Sequence, residues 1–487
     1  MAKTLFNSSE KSNFILNMTE EQYAKLASFG MLAACFTVPL FTIPAECLST
    51  VTYSFASGGL AVSGVACLIL AMIAIIKKYI NRRVVLPLCA FGAMLLWSVV
   101  SMINGYDINV SLYGFPQRGE GILAILFYFC FFVTAASVKR ERALNTLING
   151  IIGAGLLNSA WAILQFCTDK VFAYKFMTSS RLKEVLQQTS ESTDKSVAAS
   201  GLSQSPIFLA MLLTLSLTAA LIGFIMSNSK KRSIFCIVSA CIFSFTMILT
   251  YTLVGVCGII FAIIAAAASV FIAKAPKKKL ASLAAAAASA ILAVILAATG
   301  VIGNETSYSL NDGYLLWTGD SFQRISASGN YDPDILNIEN TKDVYSHLNR
   351  ETIEIIKKYP LTGTGPEQLV YPQIKKEDAG QTRFDDLIFD NPNTFDKVYN
   401  EYLYTAATRG IPSLLALLAV ILPVLFIGLK HMKQQRDEIS ICMFFLTLGG
   451  ALIFLIGCSN IAFSPVFWAA AGGSCAAIEK SASKNKK

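Results

Sequence analysis

Residues 233–273 read SIFCIVSACIFSFTMILTYTLVGVCGIIFAIIAAAASVFIA, and no charged side chain interrupts them. A helix rises about 1.5 Å per residue and the hydrocarbon core of a bilayer is about 30 Å thick, so roughly twenty residues make one crossing. A single helix over this whole run would overshoot the bilayer. It is therefore read as two spans that part at Thr250–Val254. Working outward from this pair, further runs fall at 24–44, 57–76, 84–103, 121–138, 144–167, 205–226, 280–302, 411–429, 439–457 and 460–478. The sequence thus predicts an all-α polytopic membrane protein of about twelve spans. A mean hydropathy of +0.56 with 15% charged residues agrees, since about 25% charged is usual for a soluble domain.

The first run starts at Ala24, behind a polar segment of mixed charge, so it is read as a span and not as a cleavable signal. Nearly all of the twelve cysteines fall inside spans, with Cys47 expected in a short outer loop. That distribution suggests small apolar side chains in packed helices and no disulfide or metal framework. Orientation follows from the short loops. Lys77, Lys78, Arg82 and Arg83 follow span two, Lys139, Arg140 and Arg142 follow span four, and Lys230, Lys231 and Arg232 follow span six. Lys274 and Lys277–Lys279 follow span eight, Lys430, Lys433 and Arg436 follow span ten, and Lys480–Lys487 is a basic tail. Positive residues gather on the cytoplasmic side, so both termini are expected there, in the plasma membrane. The net charge of +9 is then a topological signal and does not point to nucleic acid.

With that orientation three outer loops are long: 104–120, 168–204 and 303–409. The chain divides into a bundle of spans one to nine (1–302), an extracytoplasmic region (303–410) and spans ten to twelve with the tail (411–487). Connectors between packed helices are short, so a loop of this size is read as holding a substrate. Ionisable side chains are absent from the interiors of all twelve runs. Ion-coupled carriers place such groups at mid-depth, and no repeat relates the two halves, so a carrier is disfavoured. Within the large loop, His347–Lys358 puts Leu348, Thr352, Ile355 and Ile356 on one face, an amphipathic helix lying on the membrane or the bundle. Tyr359-Pro360 ends it, and Gly363-Thr364-Gly365-Pro366 is a turn without the spacing of a phosphate loop. Asp385–Asp396 is acidic and turn-rich, and Phe395–Arg409 reads as a helix leading into span ten.

Four stretches together resemble the O-antigen ligase and polymerase superfamily. Asp396–Leu403 (DKVYNEYL) with Arg409-Gly410-Ile411-Pro412 is similar to that family's H-N-x-x-L stretch and the glycine motif at the start of a late span. Lys358–Pro366 (KYPLTGTGP) resembles its P-L-x-G-x-G stretch, Gln117–Gly121 (QRGEG) its R-x-x-G, and Ser203–Pro206 (SQSP) lies where the family carries N-P-N. Three departures mark a divergent member. The family's His is Tyr399, the N-P-N asparagines are missing, and Thr250–Val254 lacks the arginine common in that turn.

The resemblance implies a GT-C-like fold and transfer or polymerisation of a polyprenyl-diphosphate-linked oligosaccharide outside the cytoplasm, onto a glycan or lipid-linked acceptor. Such a reaction needs a cation against the diphosphate and a group that handles the acceptor hydroxyl. Arginine suits the first part, because guanidinium meets phosphate oxygens in a bidentate way and keeps its proton. No cofactor is implied, and no D-x-D or histidine cluster is present to bind a metal. The candidate substrate contacts are Arg118 at the mouth of span four, Arg324, Arg350 and Arg409, with Asn400 orienting backbone or substrate. Arg118 is equally explained as a snorkelling interface arginine, and Arg409, beside Gly410-Ile411-Pro412 at the surface, reads first as an interfacial anchor. Tyr399 is the candidate for the family's His, as a hydrogen-bond donor or as an aromatic-belt residue, and Glu401 and Asp396 are the carboxylates able to take the acceptor's proton. His347 is read as a helix-surface histidine. The alternatives to a glycosyltransferase are a transporter or flippase of lipid-linked glycan or of a small molecule, and an inactive relative acting as a scaffold.

Overall fold

The computed structural model describes residues 17–47, 54–114, 119–167, 199, 201–203, 205–250, 252–280, 283–298, 341–373, 395 and 397–476. Among them every regular element is helical. The helices are α1 (Glu20–Cys47), α2 (Ser54–Ile76), α3 (Val85–Ile103), the short α4 (Ile108–Tyr113), α5 (Ile122–Ala136), α6 (Glu141–Cys167) and α7 (Pro206–Met226). They continue with α8 (Lys230–Leu249), α9 (Leu253–Ile272), α10 (Leu283–Ala298), α11 (Thr341–Lys358), α12 (Glu401–Gln435), α13 (Glu438–Ile453) and α14 (Ser464–Cys475). Each apolar run of the sequence coincides with one of these helices. The long uncharged run is divided as expected. α8 stops at Leu249 and Thr252 caps α9, its side chain accepting from Gly255 N at 3.1 Å.

Seven helices among the described residues are long and apolar enough to cross a membrane. Ile122–Ala136, Leu283–Leu296 and Glu438–Ile453 are apolar but shorter. α13 and α14 fall short of the expected 439–457 and 460–478 because Phe454–Phe463 leaves helical geometry and forms turns. Another boundary moves the other way: α1 runs on to Cys47, which therefore ends a helix instead of lying in a loop.

α7 is buried along nearly its whole length and packs against α6, α8, α9 and α13, as an all-round apolar helix must. α1, α2 and α5 pack in series, and α14 lies between α5 and α13. The outer surface carries exposed Phe29, Leu96, Ile234, Ile264, Phe271 and Phe426, an apolar exterior suited to lipid.

Polar contacts sort the helix ends into two groups. Lys139 pairs with Glu20 at 2.5 Å, Arg232 pairs with Glu438, and Lys279 Nζ donates to the carbonyls of Ile225 at 2.6 Å and Ser227 at 2.9 Å. Each pair joins ends that the alternation of spans assigns to one side. At the opposite ends, Trp97 Nε1 donates to Leu361 O at 3.0 Å and Ser101 Oγ donates to Thr408 O at 2.9 Å. α11 extends the predicted His347–Lys358 helix back to Thr341 and docks on α12, with Leu348 and Thr352 fully buried.

α12 is broken at Gly410, whose φ of +81° lies in the left-handed region. There Ile411 N turns away from the helix and donates to Pro360 O at 2.9 Å, while Pro412 has no N–H to offer Thr408 O. The carbonyls released in this way are taken up by the turn that follows α11. Thr364 N donates to Ala407 O at 3.0 Å and Gly365 N donates to Thr408 O at 2.9 Å. A Cβ on Gly410 would come within 1.9 Å of Leu361 O, and one on Gly363 within 2.4 Å of the Thr408 carbonyl carbon, so the close approach requires both glycines.

Candidate active site

The break in α12 positions the half-helix Glu401–Arg409 on the loop side of the bundle. Asn400 starts it: its Oδ1 accepts from the backbone N–H of Tyr402 and Leu403, both at 3.1 Å, the bonding of an N-cap. The helix thus begins at Glu401, later than the expected Phe395, and the Asn400 side chain serves the backbone. Glu401, Thr405 and Arg409 follow at four-residue spacing on one face. Arg409 Nη2 lies 3.1 Å from Glu401 Oε1 and donates to Thr405 Oγ1 at 2.7 Å. Thr405 Oγ1 donates to Glu401 Oε1 at 3.1 Å, and Ser459 N donates to Glu401 Oε2 at 2.8 Å. Arg409 is 6% exposed, so the reading of it as an interfacial anchor is corrected: the carboxylate two turns back holds it inside.

Beside this pair lies a second. Lys397, two residues before Tyr399, pairs with Glu120 and stands 3.4 Å from Glu367 Oε1, and its Nζ donates to Ser459 O at 2.9 Å. Its ammonium also lies 5.1 Å from the centroid of the Tyr404 ring, a cation–π contact. Tyr404 Oη donates to Glu367 Oε1 at 2.6 Å, Tyr128 Oη to Glu120 Oε1 at 2.9 Å, and Ser459 Oγ to Glu120 Oε1 at 2.8 Å. Ser459 therefore joins the two pairs, its backbone N–H on Glu401 and its hydroxyl on Glu120.

Glu120, Glu367, Lys397, Glu401 and Arg409 are each 6% exposed or less. Ionised groups leave water only at a cost of several kcal/mol each, which close opposite charges and hydrogen bonds must offset. Here each of the five has such a partner. Glu120, Tyr128, Glu367, Glu401, Arg409 and Ser459 line a cavity of about 30 Å³, room for about two water molecules. Phe91, Phe454 and Trp468 complete its apolar wall, with Phe91 and Trp468 in contact at 4.6 Å between centroids.

Glu401 and Arg409 are the expected site residues that this network brings together. Tyr399 is buried next to it in sequence, its ring 5.4 Å from that of Tyr345, whose hydroxyl donates to Ile456 O at 3.1 Å. Arg350 is exposed on α11, with its Nη2 3.2 Å from His347 Nδ1 and its Nε 3.4 Å from Glu351 Oε1, and it takes no part in lining the cavity. Arg118, Arg324 and Asp396 lie outside the described residues. Sequence reasoning did not single out Lys397, Glu120, Glu367, Tyr128, Tyr404 or Ser459. Two of them stood in quoted stretches, Glu120 in QRGEG and Lys397 in DKVYNEYL, and Glu367 directly follows KYPLTGTGP.

A further set of contacts starts at Gln368, beside Glu367 in the chain. Gln368 Oε1 accepts from Tyr106 N at 2.5 Å, and its Nε2 donates to Ser111 Oγ at 2.8 Å, tying α4 to the turn after α11. Tyr106 stacks on Tyr371 at 5.4 Å with 10° between the rings. Burial pushes the Tyr106 phenol up to about 12, with the Tyr359 hydroxyl adding to it. Tyr371 is likewise pushed up to about 12 by burial and by Asp107, so both phenols are neutral at physiological pH.

The stretches that meet here belong to, or in the case of Glu367 directly follow, three of the four that carried the family resemblance, 117–121, 358–366 and 396–412. Residues 237–418 match the family model of O-antigen ligase. The match covers less than half of the chain and supports membership of the O-antigen ligase and polymerase superfamily. The matched region runs from α8 to the first turns of α12 beyond Gly410, and so includes Glu367, Lys397, Glu401 and Arg409. Glu120, Tyr128 and Ser459 complete the buried network from outside it. No curated protein matches the chain.

Proposed function

We propose that this protein, as a member of that superfamily, transfers or polymerises a polyprenyl-diphosphate-linked oligosaccharide at the outer face of the plasma membrane, for assembly of a cell-surface polysaccharide. In this reading the chain crosses about twelve times with both termini cytoplasmic, which the basic loops support. The observation that carries the reading is the convergence of the family-like stretches on one buried charged network. It lies at the end of the bundle opposite the Lys139, Arg232 and Lys279 contacts. In this reading the acceptor is a glycan or a lipid-linked chain, and Glu401, with Asp396 nearby in sequence, handles its hydroxyl. Arg118, Arg324 and Arg350 are the guanidinium groups proposed to meet the diphosphate, and Tyr399 to donate a hydrogen bond to it. The proposed activity is that of a glycosyltransferase acting through these side chains.

The test is reconstitution in liposomes with a polyprenyl-diphosphate oligosaccharide. Lengthened or transferred glycan is expected, resolved by gel and mass spectrometry, and strongly reduced in Glu401→Gln. Appearance of the intact substrate in the opposite leaflet, with no new glycosidic bond, would overturn the reading in favour of a flippase.

A further inference from the structure

We infer that the corner where α3 and α12 meet, at the end of the bundle that carries the basic loops, is a binding site for the headgroup of an anionic phospholipid. The site stands at the opposite end of the molecule from the charged network, and it does not depend on the proposed reaction.

α3 and α12 pack along each other, and the turn Arg82–Val84 leads into α3. Asn81 caps that turn, its Oδ1 accepting from Arg83 N at 3.1 Å, and Val84 is fully buried, so both arginines leave from a fixed stretch of backbone. The last turns of α12 carry Lys430, His431 and Lys433. His431 is buried, its Nδ1 3.1 Å from Ser474 O on α14, and the charges of both Arg83 and Lys430 act on its ring. One buried side chain thus marks the point where cations of the two helices converge.

Arg82, Arg83, Lys430 and Lys433 are all exposed, and none has a carboxylate partner among the described residues. The carboxylates just beyond α12 are committed: Asp437 Oδ1 accepts from Ser440 N at 2.9 Å, and Glu438 pairs with Arg232. Like charges gathered within a screening length of about 8–10 Å repel one another. An anion among them turns that repulsion into attraction.

The side chains next to the cations decide what kind of anion. On α12, Leu422, Phe426, Lys430 and Lys433 recur at helical spacing and are all exposed, so one stripe runs from apolar to basic. On α3, exposed Val85 and Leu86 follow the two arginines directly. In both helices the apolar members lie on the membrane side of the cations. A soluble anion gains nothing from such surface. A phospholipid gains from all of it: the phosphate meets guanidinium in a bidentate way and ammonium as a point charge, while the acyl chains lie on Leu86, Leu422 and Phe426. Basic pockets between membrane helices hold anionic headgroups in this manner. A zwitterionic lipid brings its own cation and leaves the surplus positive charge unrelieved.

The full chain in phosphatidylcholine nanodiscs, titrated with phosphatidylglycerol, tests the site by thermal unfolding and by native mass spectrometry of the retained lipid. The variants are Arg82→Gln/Arg83→Gln and Lys430→Gln/Lys433→Gln. Lys230→Gln/Lys231→Gln, at the exposed start of α8, removes the same charge elsewhere on that side. Phosphatidylglycerol should raise the melting temperature of wild type. Each cation at an anionic headgroup is worth about fivefold in affinity, so either site pair should weaken the binding by about tenfold or more, and the α8 pair by less than about threefold. Should one site pair fail to fold, the other lies on a separate helix and carries the same expectation. Equal weakening in all three variants would overturn the site in favour of a diffuse attraction between basic loops and the leaflet. Equal protection of wild type by millimolar phosphate or by polyglutamate, in phosphatidylcholine alone, would overturn it in favour of a free anion or an acidic protein partner.

Discussion

Lys397 and Glu120 stand 277 residues apart in the chain and form an ion pair, the ammonium fully buried and the carboxylate nearly so. The pair ties the stretch before α12 to the mouth of α5, and Glu367 brings the turn after α11 to the same ammonium. Removing the cation alone strands two carboxylates in a dry site. Lys397→Met is therefore expected to cost about 3–5 kcal/mol of stability, whereas replacing all three groups by neutral ones recovers much of that loss. Thermal unfolding in detergent of Lys397→Met and of Glu120→Gln/Glu367→Gln/Lys397→Met checks this. A triple variant no more stable than the single one would count against the ion-pair account.

The break in α12 makes a sharper demand. Gly410 combines a left-handed φ with a contact that leaves no room for a methyl group. Gly410→Ala should lose at least about 1–3 kcal/mol from backbone strain alone, with the clash against Leu361 O added to it. Gly92, in α3, has nothing within 4 Å of an added Cβ, so Gly92→Ala is the control and should match or slightly exceed wild-type stability. Equal melting temperatures for the two variants would refute the role given to the break.

Asn400 offers a milder test. Loss of its cap in Asn400→Ala should cost about 1 kcal/mol, and Asn400→Asp or Asn400→Ser should restore most of it. Amide exchange at Tyr402 and Leu403, the two N–H groups it holds, reports the effect directly. If Asn400→Asp behaved like Asn400→Ala, the side chain would have a task other than capping.

Acid sensitivity of α11 follows from His347. Burial lowers its pKa below 6.5, Arg350 adds to this, and Glu351 opposes it. Arg350 Nη2 is always a donor, so Nδ1 of His347 accepts and the ring is neutral. Folded histidine thus binds its proton less readily than unfolded. Its contribution is complete above the unfolded pKa and is lost as pH falls through the lower folded value. Amide protection factors across α11, corrected for the intrinsic pH dependence of exchange, should fall between pH 7 and pH 5, and His347→Gln should flatten that fall. An unchanged pH dependence in the variant would assign the effect to another group.

How much of this was legible in the sequence depends on whether a signal is periodic or solitary. The uncharged run at 233–273 announced two helices and their break, because length against bilayer thickness is a strong constraint. The amphipathic face of α11 was equally visible, since Leu348 and Thr352 recur at helical spacing. Arg409 was visible too but misread: its nearness to Gly410 suggested the surface, whereas Glu401, Thr405 and Arg409 at i, i+4 and i+8 share one helical face. Glu120, Glu367 and Lys397 gave no such pattern. Each is one charge in an irregular stretch, and what unites them is tertiary contact across hundreds of residues. The ends of α13 and α14 were overestimated because Phe454 and Phe463 are as apolar as a span. Instead they lie in turns, where Phe454 meets Phe463 and Phe467 edge to face and Phe463 stacks on Phe467.

Because its last carbonyls bond to the turn after α11 and not to Ile411 or Pro412, the segment Glu401–Arg409 is mechanically part of the loop assembly. The long helix that follows it in the chain is a separate strut. Tilting that strut within the bilayer would bend the chain at Gly410 before it disturbed the Glu401–Arg409 pair. Swings in bilayer thickness would in this way be absorbed at a single glycine, leaving the chemistry above it in register.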